Sequence, residues 1–97
     1  MFRHVAMFKW TAEATGEQKA AVSERLAGLP AAIPEIKAYH FGADAGLGAD
    51  NFDFVVVADF EDRETFITYR DHPAHQAAIA EVIAPIRATR AAAQYEF

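Results

Sequence analysis

The sequence contains no cysteine among its 97 residues. Disulfide bonds, thiolate metal sites and cysteine nucleophiles are therefore excluded. Basic residues are also scarce, with nine against 14 acidic ones, and the resulting net charge of −5 disfavours binding to the phosphate backbone of a nucleic acid. No apolar run approaches the roughly 20 residues of a membrane span, so we expect no association with a membrane.

The N-terminal residues alternate in polarity from the start and resemble no secretory leader. Together with the lack of cysteine, this predicts a soluble, cytoplasmic protein. The composition is 53% apolar and 12% aromatic, which excludes a disordered chain. A chain of this length builds one hydrophobic core, so we expect a single domain over residues 1–97.

The first half of the chain predicts a strand, a helix and a second strand. Residues 2–10 alternate with a period of two, as in a strand. Thr15 and Gln18 form a capping-box pattern that starts a helix, and Pro34 ends it. Residues 36–42 alternate again, and the glycine- and aspartate-rich residues 43–51 predict a loop. The helix places four apolar residues on one face: Val22, Leu26, Leu29 and Ile33.

The second half repeats this order. Residues 52–60 are the strongest strand, and Asp62 is placed to cap a helix that begins near Arg63. The His72-Pro73 pair interrupts that helix, and Pro85 ends or kinks the next one. Residues 91–97 predict a last strand. The order β-α-β-β-α-β predicts an α+β, ferredoxin-like fold with a four-stranded antiparallel sheet and helices on one face. The last helix has an apolar stripe: Ile79, Val82, Ile83 and Ile86.

Three of the predicted strands are apolar on both faces at their centres. On the face opposite the predicted helices lie Val5 and Met7 of the first strand, with Val55 and Val57 of the third. An apolar patch of this kind is unusual on a monomer, although scattered apolar surface residues are common. We therefore expect a homodimer in which two sheets pack face to face.

Several segments of the chain resemble the stress-responsive A/B barrel (Dabb) family. The matching segments are RHV and FKW in the first strand, AIP after the first helix, VADF in the third strand, and YRDHPAH at residues 69–75. The resemblance covers essentially the whole chain. It implies a ferredoxin-like protomer that pairs with a second copy to form a dimeric α/β barrel. It does not fix an activity, because many members are known only as stress-associated proteins.

The resemblance extends to plant polyketide cyclases of the olivetolic acid cyclase type, which close a poly-β-keto thioester by aldol condensation without a cofactor. It implies a catalytic role for His75 and Tyr69, with His4 as a further pocket histidine. The sequence departs from these enzymes where large aromatic residues line their tunnel, so their substrate does not carry over. The smaller residues here are Val22, Leu26 and Ala78.

The residues themselves leave two interpretations open. The His75 imidazole titrates near neutral pH, as a general base should, and the Tyr69 hydroxyl can stabilise an enolate. Alternatively, His75 binds backbone carbonyls beside His72 while Tyr69 packs. His4, on the predicted helix side of its strand, either orients a ligand or hydrogen-bonds Tyr69 or the backbone.

No other motif predicts a cofactor or a metal. His72 and His75 beside Asp71 lack a third ligand, so we expect no metal site, and His72 suits a helix cap or an exposed position. Phosphate loops, dinucleotide fingerprints and Ser/His/Asp arrangements are absent. We therefore predict a small dimeric Dabb-type protein with a pocket for a small hydrophobic molecule. The alternatives are a cofactor-independent cyclase or isomerase acting on a β-keto or phenolic molecule, and a monooxygenase-like protein.

Overall fold

The alternating segments form one antiparallel sheet. The computed structural model describes residues 1–97, and its strands follow the order β2-β3-β1-β4 with every neighbouring pair antiparallel. The strands are β1 (Phe2–Trp10), β2 (Ala38–Ala43), β3 (Phe54–Phe60) and β4 (Arg87–Glu96). This order places β1 and β3 at the centre of the sheet, and the predicted ferredoxin-like fold is confirmed.

Three strands begin away from their predicted positions, and β3 begins at Phe54, two residues later than predicted. β2 begins at Ala38, because the chain after Pro34 first makes a turn in which the Ile36 amide bonds to the Ile33 carbonyl at 3.2 Å. β4 begins at Arg87 rather than at Ala91, because its first residues pair with the end of β1. The boundary of β2 was wrong because a turn follows Pro34, and that of β4 was wrong because its pairing with β1 extends beyond the alternating residues.

The helices begin and end where the sequence places caps and prolines. They are α1 (Gly16–Ala27), α2 (Leu29–Ala32), α3 (Arg63–Asp71) and α4 (Pro73–Ala78), followed by a π-helical turn (Ile79–Ile83) and a 3₁₀ turn (Ala84–Ile86). Both predicted capping residues are confirmed. Thr15 forms a capping box with Gln18, and Asp62 forms one with Thr65. No helix is both long enough and apolar enough to span a membrane.

The helices pack on the face of the sheet that carries Phe2, His4 and Phe8. The Phe66 ring of α3 lies 5.2 Å from the Phe2 ring and 4.9 Å from the His4 ring, measured between centroids. The four predicted apolar residues of the first helical region are all buried, as expected. In the last helical region only Ile83 and Ile86 are fully buried, while the other two stripe residues are partly exposed.

The opposite face of the sheet, called the outer face below, is partly exposed in the single chain. Val5, Val55 and Val57 are half-buried, and Met7 is 36% exposed. Beside them, Arg3 and Asp59 form a bidentate ion pair with nitrogen–oxygen distances of 2.6 and 2.8 Å.

Candidate functional site

A cavity of about 420 Å³ lies between the helices and the inner face of the sheet. All three residues predicted as site residues, His4, Tyr69 and His75, line it. Much of the remaining wall is aromatic or aliphatic, including Phe8 and Phe66. A cavity of this size with a few converging polar groups has the properties of a small-molecule site.

The helix break at His72 brings Tyr69 and His75 together. Tyr69 lies in the last turn of α3 and His75 in the first turn of α4. The backbone of His72 is extended, and its Nδ1 accepts a hydrogen bond from the Ala74 amide at 3.0 Å, which confirms the predicted capping role. As a result the Tyr69 and His75 rings lie 4.1 Å apart between centroids at 31°.

The hydrogen bond of His75 fixes which of its ring nitrogens is basic. Nδ1 lies 3.0 Å from the carbonyl oxygen of Arg70. A carbonyl only accepts, so Nδ1 carries the hydrogen, and Nε2 of the neutral ring keeps its lone pair. Burial lowers the pKa of His75, an effect that the Arg70 hydrogen bond opposes and the Arg90 charge reinforces. The ring is therefore neutral at pH 7, with Nε2 as the proton acceptor.

Two tyrosine hydroxyls form a pair in the cavity. The oxygen atoms of Tyr39 and Tyr69 are 2.8 Å apart, and both residues line the cavity. Burial raises the pKa of both hydroxyls, and the Tyr39 hydrogen bond lowers the pKa of Tyr69. Each hydroxyl has one hydrogen, so the hydrogen bond uses one of the two and leaves the other free for a ligand.

The ring nitrogens of His4 have the opposite hydrogen-bonding roles to those of His75. The Gln94 side-chain nitrogen lies 2.8 Å from Nδ1 of His4. An amide nitrogen donates, so Nδ1 accepts and Nε2 of His4 carries the hydrogen. Burial first, and then the charges of Arg90 and His75, lower the pKa of His4 to about 4. The partner of His4 is thus Gln94, and the expectation that Tyr69 or the backbone would bind it was wrong.

Three arginines surround the cavity and are exposed: Arg70, Arg87 and Arg90. Arg70 pairs with Asp71 at 2.9 Å, whereas Arg87 and Arg90 make no ion pair. No aspartate or glutamate lines the cavity. The groups that line it also do not combine into a metal site, since no cluster of three or more metal-ligating side chains occurs anywhere in the structure.

Several site residues were missed from the sequence. Tyr39 could have been found, because the alternation of its strand places it on the same side as Phe41. Arg87 and Arg90 precede residue 91, where the last strand is predicted to begin, so the alternation of that strand did not place them. Of the three positions expected to replace tunnel aromatics, only Leu26 lines the cavity. The other two, Val22 and Ala78, are fully buried in the core.

Comparisons with known proteins agree with this architecture. Residues 2–97 match the family model of the stress responsive A/B barrel domain. A dimeric ferredoxin-like protein of unknown function from Thermobifida fusca is 50% identical, with a TM-score of 0.91 over 99% of this chain and 90% of that chain. A dimeric protein of unknown function and ferredoxin-like fold from Bacteroides fragilis is 26% identical, with a TM-score of 0.86 over 99% and 95% of the two chains.

Two of the similar structures are enzymes by name. An antibiotic biosynthesis monooxygenase is 16% identical, with a TM-score of 0.78 over 100% of this chain and 98% of that chain. Hydroxynitrile lyase from Passiflora edulis is 19% identical, with a TM-score of 0.84 over 97% of this chain and 90% of that chain. At these identities the likeness shows a shared fold. Comparison with functionally curated proteins gives no match.

Proposed function

The chain belongs to the stress responsive A/B barrel domain family, and from that premise we propose that it binds a small molecule in its cavity and acts on it by cofactor-independent acid–base catalysis. The observation that carries this proposal is the hydrogen bond from His75 Nδ1 to the Arg70 carbonyl at 3.0 Å. It leaves Nε2 of a half-buried, neutral imidazole as the free base beside the Tyr69 ring.

The proposed reaction begins with proton abstraction next to a carbonyl. Nε2 of His75 takes the proton, the carbon–hydrogen bond breaks, and its electron pair moves to the carbonyl oxygen to form an enolate. The Tyr69 hydroxyl donates a hydrogen bond to that oxygen, and Nε2–H of His4 orients the substrate. The enolate carbon then attacks a second carbonyl carbon of the same molecule, and the new alkoxide takes the proton from His75. Return of the proton to a different carbon gives isomerisation instead.

The substrate class follows from the walls of the cavity. Phe8, Phe66, Leu26 and the two tyrosines offer aromatic and aliphatic surface to a ligand. A β-keto or phenolic molecule combines an acidic carbon–hydrogen bond with an apolar body, so it suits both the base and the walls. The enzyme from Passiflora edulis supports the proposal to the extent that a catalyst can be built on this fold.

We further propose that the protein is a homodimer that packs through the outer face of the sheet. The similar protein from Thermobifida fusca, 50% identical to this chain, is described as dimeric. The outer face has the properties of a sheet interface. Its centre is apolar, with Val5 and Val57 paired across β1 and β3, and β4 adds the small residues Ala91 and Ala93.

Hydrogen exchange at carbon tests the catalytic proposal. We expect the protein to accelerate deuterium incorporation at the benzylic carbon of 1-phenyl-2-propanone in D₂O, followed by NMR. The His75→Ala variant should lose this acceleration, and Tyr69→Phe should lower it about 100-fold, as loss of an oxyanion donor does. His40→Gln is the matched control, because His40 is exposed on the outer face.

Two outcomes would overturn the catalytic proposal. Exchange by the wild-type protein at the rate of buffer alone would mean that the cavity has no working base. Equal acceleration by wild type and His75→Ala would mean that His75 only fixes the helix break through Arg70. In that second case circular dichroism of the variant should show a loss of helix, whereas a catalytic His75 leaves the spectrum unchanged.

A further inference from the structure

The cavity carries uncompensated positive charge in an acidic protein. Arg87 and Arg90 line it, and the 14 acidic residues of the chain contribute no side chain to its wall. The other four arginines each pair with a carboxylate. Acidic residues outnumber basic ones, so most arginines find an acidic partner. Arg87 and Arg90 differ from the other arginines because neither forms an ion pair.

A bulge places both arginines on the same side of the sheet. In a regular strand, residues three apart point to opposite faces. Here Arg90 pairs with Phe8 and Arg87 with Trp10, because the register of β1 and β4 shifts between Lys9 and Trp10. Phe8 and Trp10 share the inner face, so both arginines do as well. Bulges often re-aim side chains in this way beside functional sites.

The two arginines are also placed for access from solvent. β4 is an edge strand, and Arg87, Arg90 and Gln94 on its inner face are exposed although they line the cavity. They therefore mark its mouth, while Phe66 and Tyr69 lie deeper. A ligand that enters here meets two guanidinium groups first and an aromatic, apolar wall behind them.

The positive charge also acts on the proposed catalytic groups. Burial is the main influence on the pKa of His4, Tyr69 and His75, and the charge of Arg90 acts on all three. It favours the neutral imidazoles and the ionised phenol. An anionic ligand beside Arg90 would reduce that effect, so ligand charge and the protonation of the site are linked.

We propose that the ligand of this cavity carries a carboxylate, held at the mouth by Arg87 and Arg90, with its aromatic or aliphatic body directed inward. This inference rests on the proposed function of the cavity as a small-molecule site and names the substrate class as a hydrophobic carboxylic acid. Guanidinium groups bind carboxylates through paired, charge-assisted hydrogen bonds, and the apolar wall accommodates the rest of the molecule.

Matched acid and amide probes test the proposal. We expect isothermal titration calorimetry to give at least tenfold tighter binding of 2-naphthoate than of 2-naphthamide, which has the same shape without the charge. Arg90→Gln should reduce the affinity for the acid to that for the amide and leave amide binding within twofold. Lys19→Gln removes the same charge from a residue outside this cavity and should leave both affinities unchanged.

The possible results separate this inference from the proposed function. Equal affinity for acid and amide, with both lost in the cavity-filling variant Leu26→Trp, would overturn the carboxylate and keep the ligand site. Binding of neither probe, or binding unaffected by Leu26→Trp, would overturn the ligand site and the carboxylate together. Acid binding that Arg90→Gln and Arg87→Gln both leave unchanged would overturn the role of these arginines. Circular dichroism confirms that each variant is folded.

Discussion

The two histidines of the cavity differ in which ring nitrogen carries the hydrogen, and that difference suits them to separate roles in the proposed reaction. His75 donates through Nδ1 to a carbonyl and keeps Nε2 as a base, whereas His4 accepts at Nδ1 from Gln94 and keeps Nε2–H as a donor. Both rings are held neutral by burial. One cavity therefore offers a proton acceptor and a neutral donor at the same pH, which enolisation requires.

The buried state of His4 predicts a loss of stability in mild acid. Folding lowers its pKa from 6.5 to about 4. As the pH falls through this window the unfolded chain binds a proton that the folded chain refuses, so the free energy of unfolding decreases. The full shift corresponds to about 3 kcal/mol, reached near pH 4. Urea unfolding at pH 7, 5.5 and 4 measures the decrease.

His4→Gln isolates that contribution, because glutamine does not titrate and its amide can still bond to Gln94. The variant is expected to be less stable than wild type at pH 7 but to lose less stability on acidification. An identical pH dependence in the two proteins would show that His4 titrates normally in the folded state and that its environment is more hydrated than the 6% exposed fraction indicates.

Among the elements, those that depend on local sequence were predicted well. The alternation of β1 and β3, the capping boxes at Thr15 and Asp62, and the break at His72 each depend on residues within one or two turns of each other. Local propensity and tertiary packing agree at these positions, and the structure follows the prediction.

Elements defined by long-range pairing were predicted less well, and so were the site residues that lie on them. The start of β4 depends on its pairing register with β1, which includes a bulge. No pattern in the local sequence predicts that register. Arg87 and Arg90 consequently fell outside the predicted strand, although both line the cavity. Tyr69 and His75 were predicted because the segment that contains both resembles a family motif, while Tyr39 hydrogen-bonds Tyr69 from 30 residues away.

The capping box of α3 predicts a loss of stability that does not affect the site. Asp62 accepts from the Thr65 amide at 2.9 Å, and this bond lowers the pKa of its carboxyl. Asp62→Ala should reduce the free energy of unfolding by about 1 kcal/mol at pH 7. Thr15→Ala at α1 is the matched control and should cost a similar amount. Urea unfolding measures both, and 2-naphthoate binding should be unchanged in each.

A larger role for α3 would give a different result. Asp62→Ala could also weaken ligand binding severalfold while Thr15→Ala does not. That result would mean that the start of α3 sets the position of Tyr69, nearly two turns later, and that the cap contributes to ligand binding. Equal stability of Asp62→Ala and wild type would instead mean that Thr65 finds another partner.

At the scale of the whole molecule, the sheet separates two surfaces: the wall of the cavity and the proposed dimer interface. The inner face supplies β-strand residues to the cavity. The outer face carries an apolar centre beside the Arg3–Asp59 ion pair. None of the residues that line the cavity lies on the outer face, so a substitution on the outer face leaves the wall of the cavity unchanged.

Interrupting the apolar centre of the outer face should therefore produce a folded monomer that still binds ligand. Val57 lies in a central strand and pairs with Val5, so Val57→Lys places a charge in the middle of the proposed interface. Burying an unpaired ammonium between two sheets is costly, whereas on a free surface lysine is tolerated.

We expect sedimentation equilibrium at micromolar concentration to give twice the 10.7 kDa chain mass for wild type and the single mass for Val57→Lys. Ile67→Lys, an equivalent change at an exposed residue of α3, should remain dimeric. A wild-type monomer, or a dimer of Val57→Lys as stable as wild type, would mean that the chain does not associate through this face.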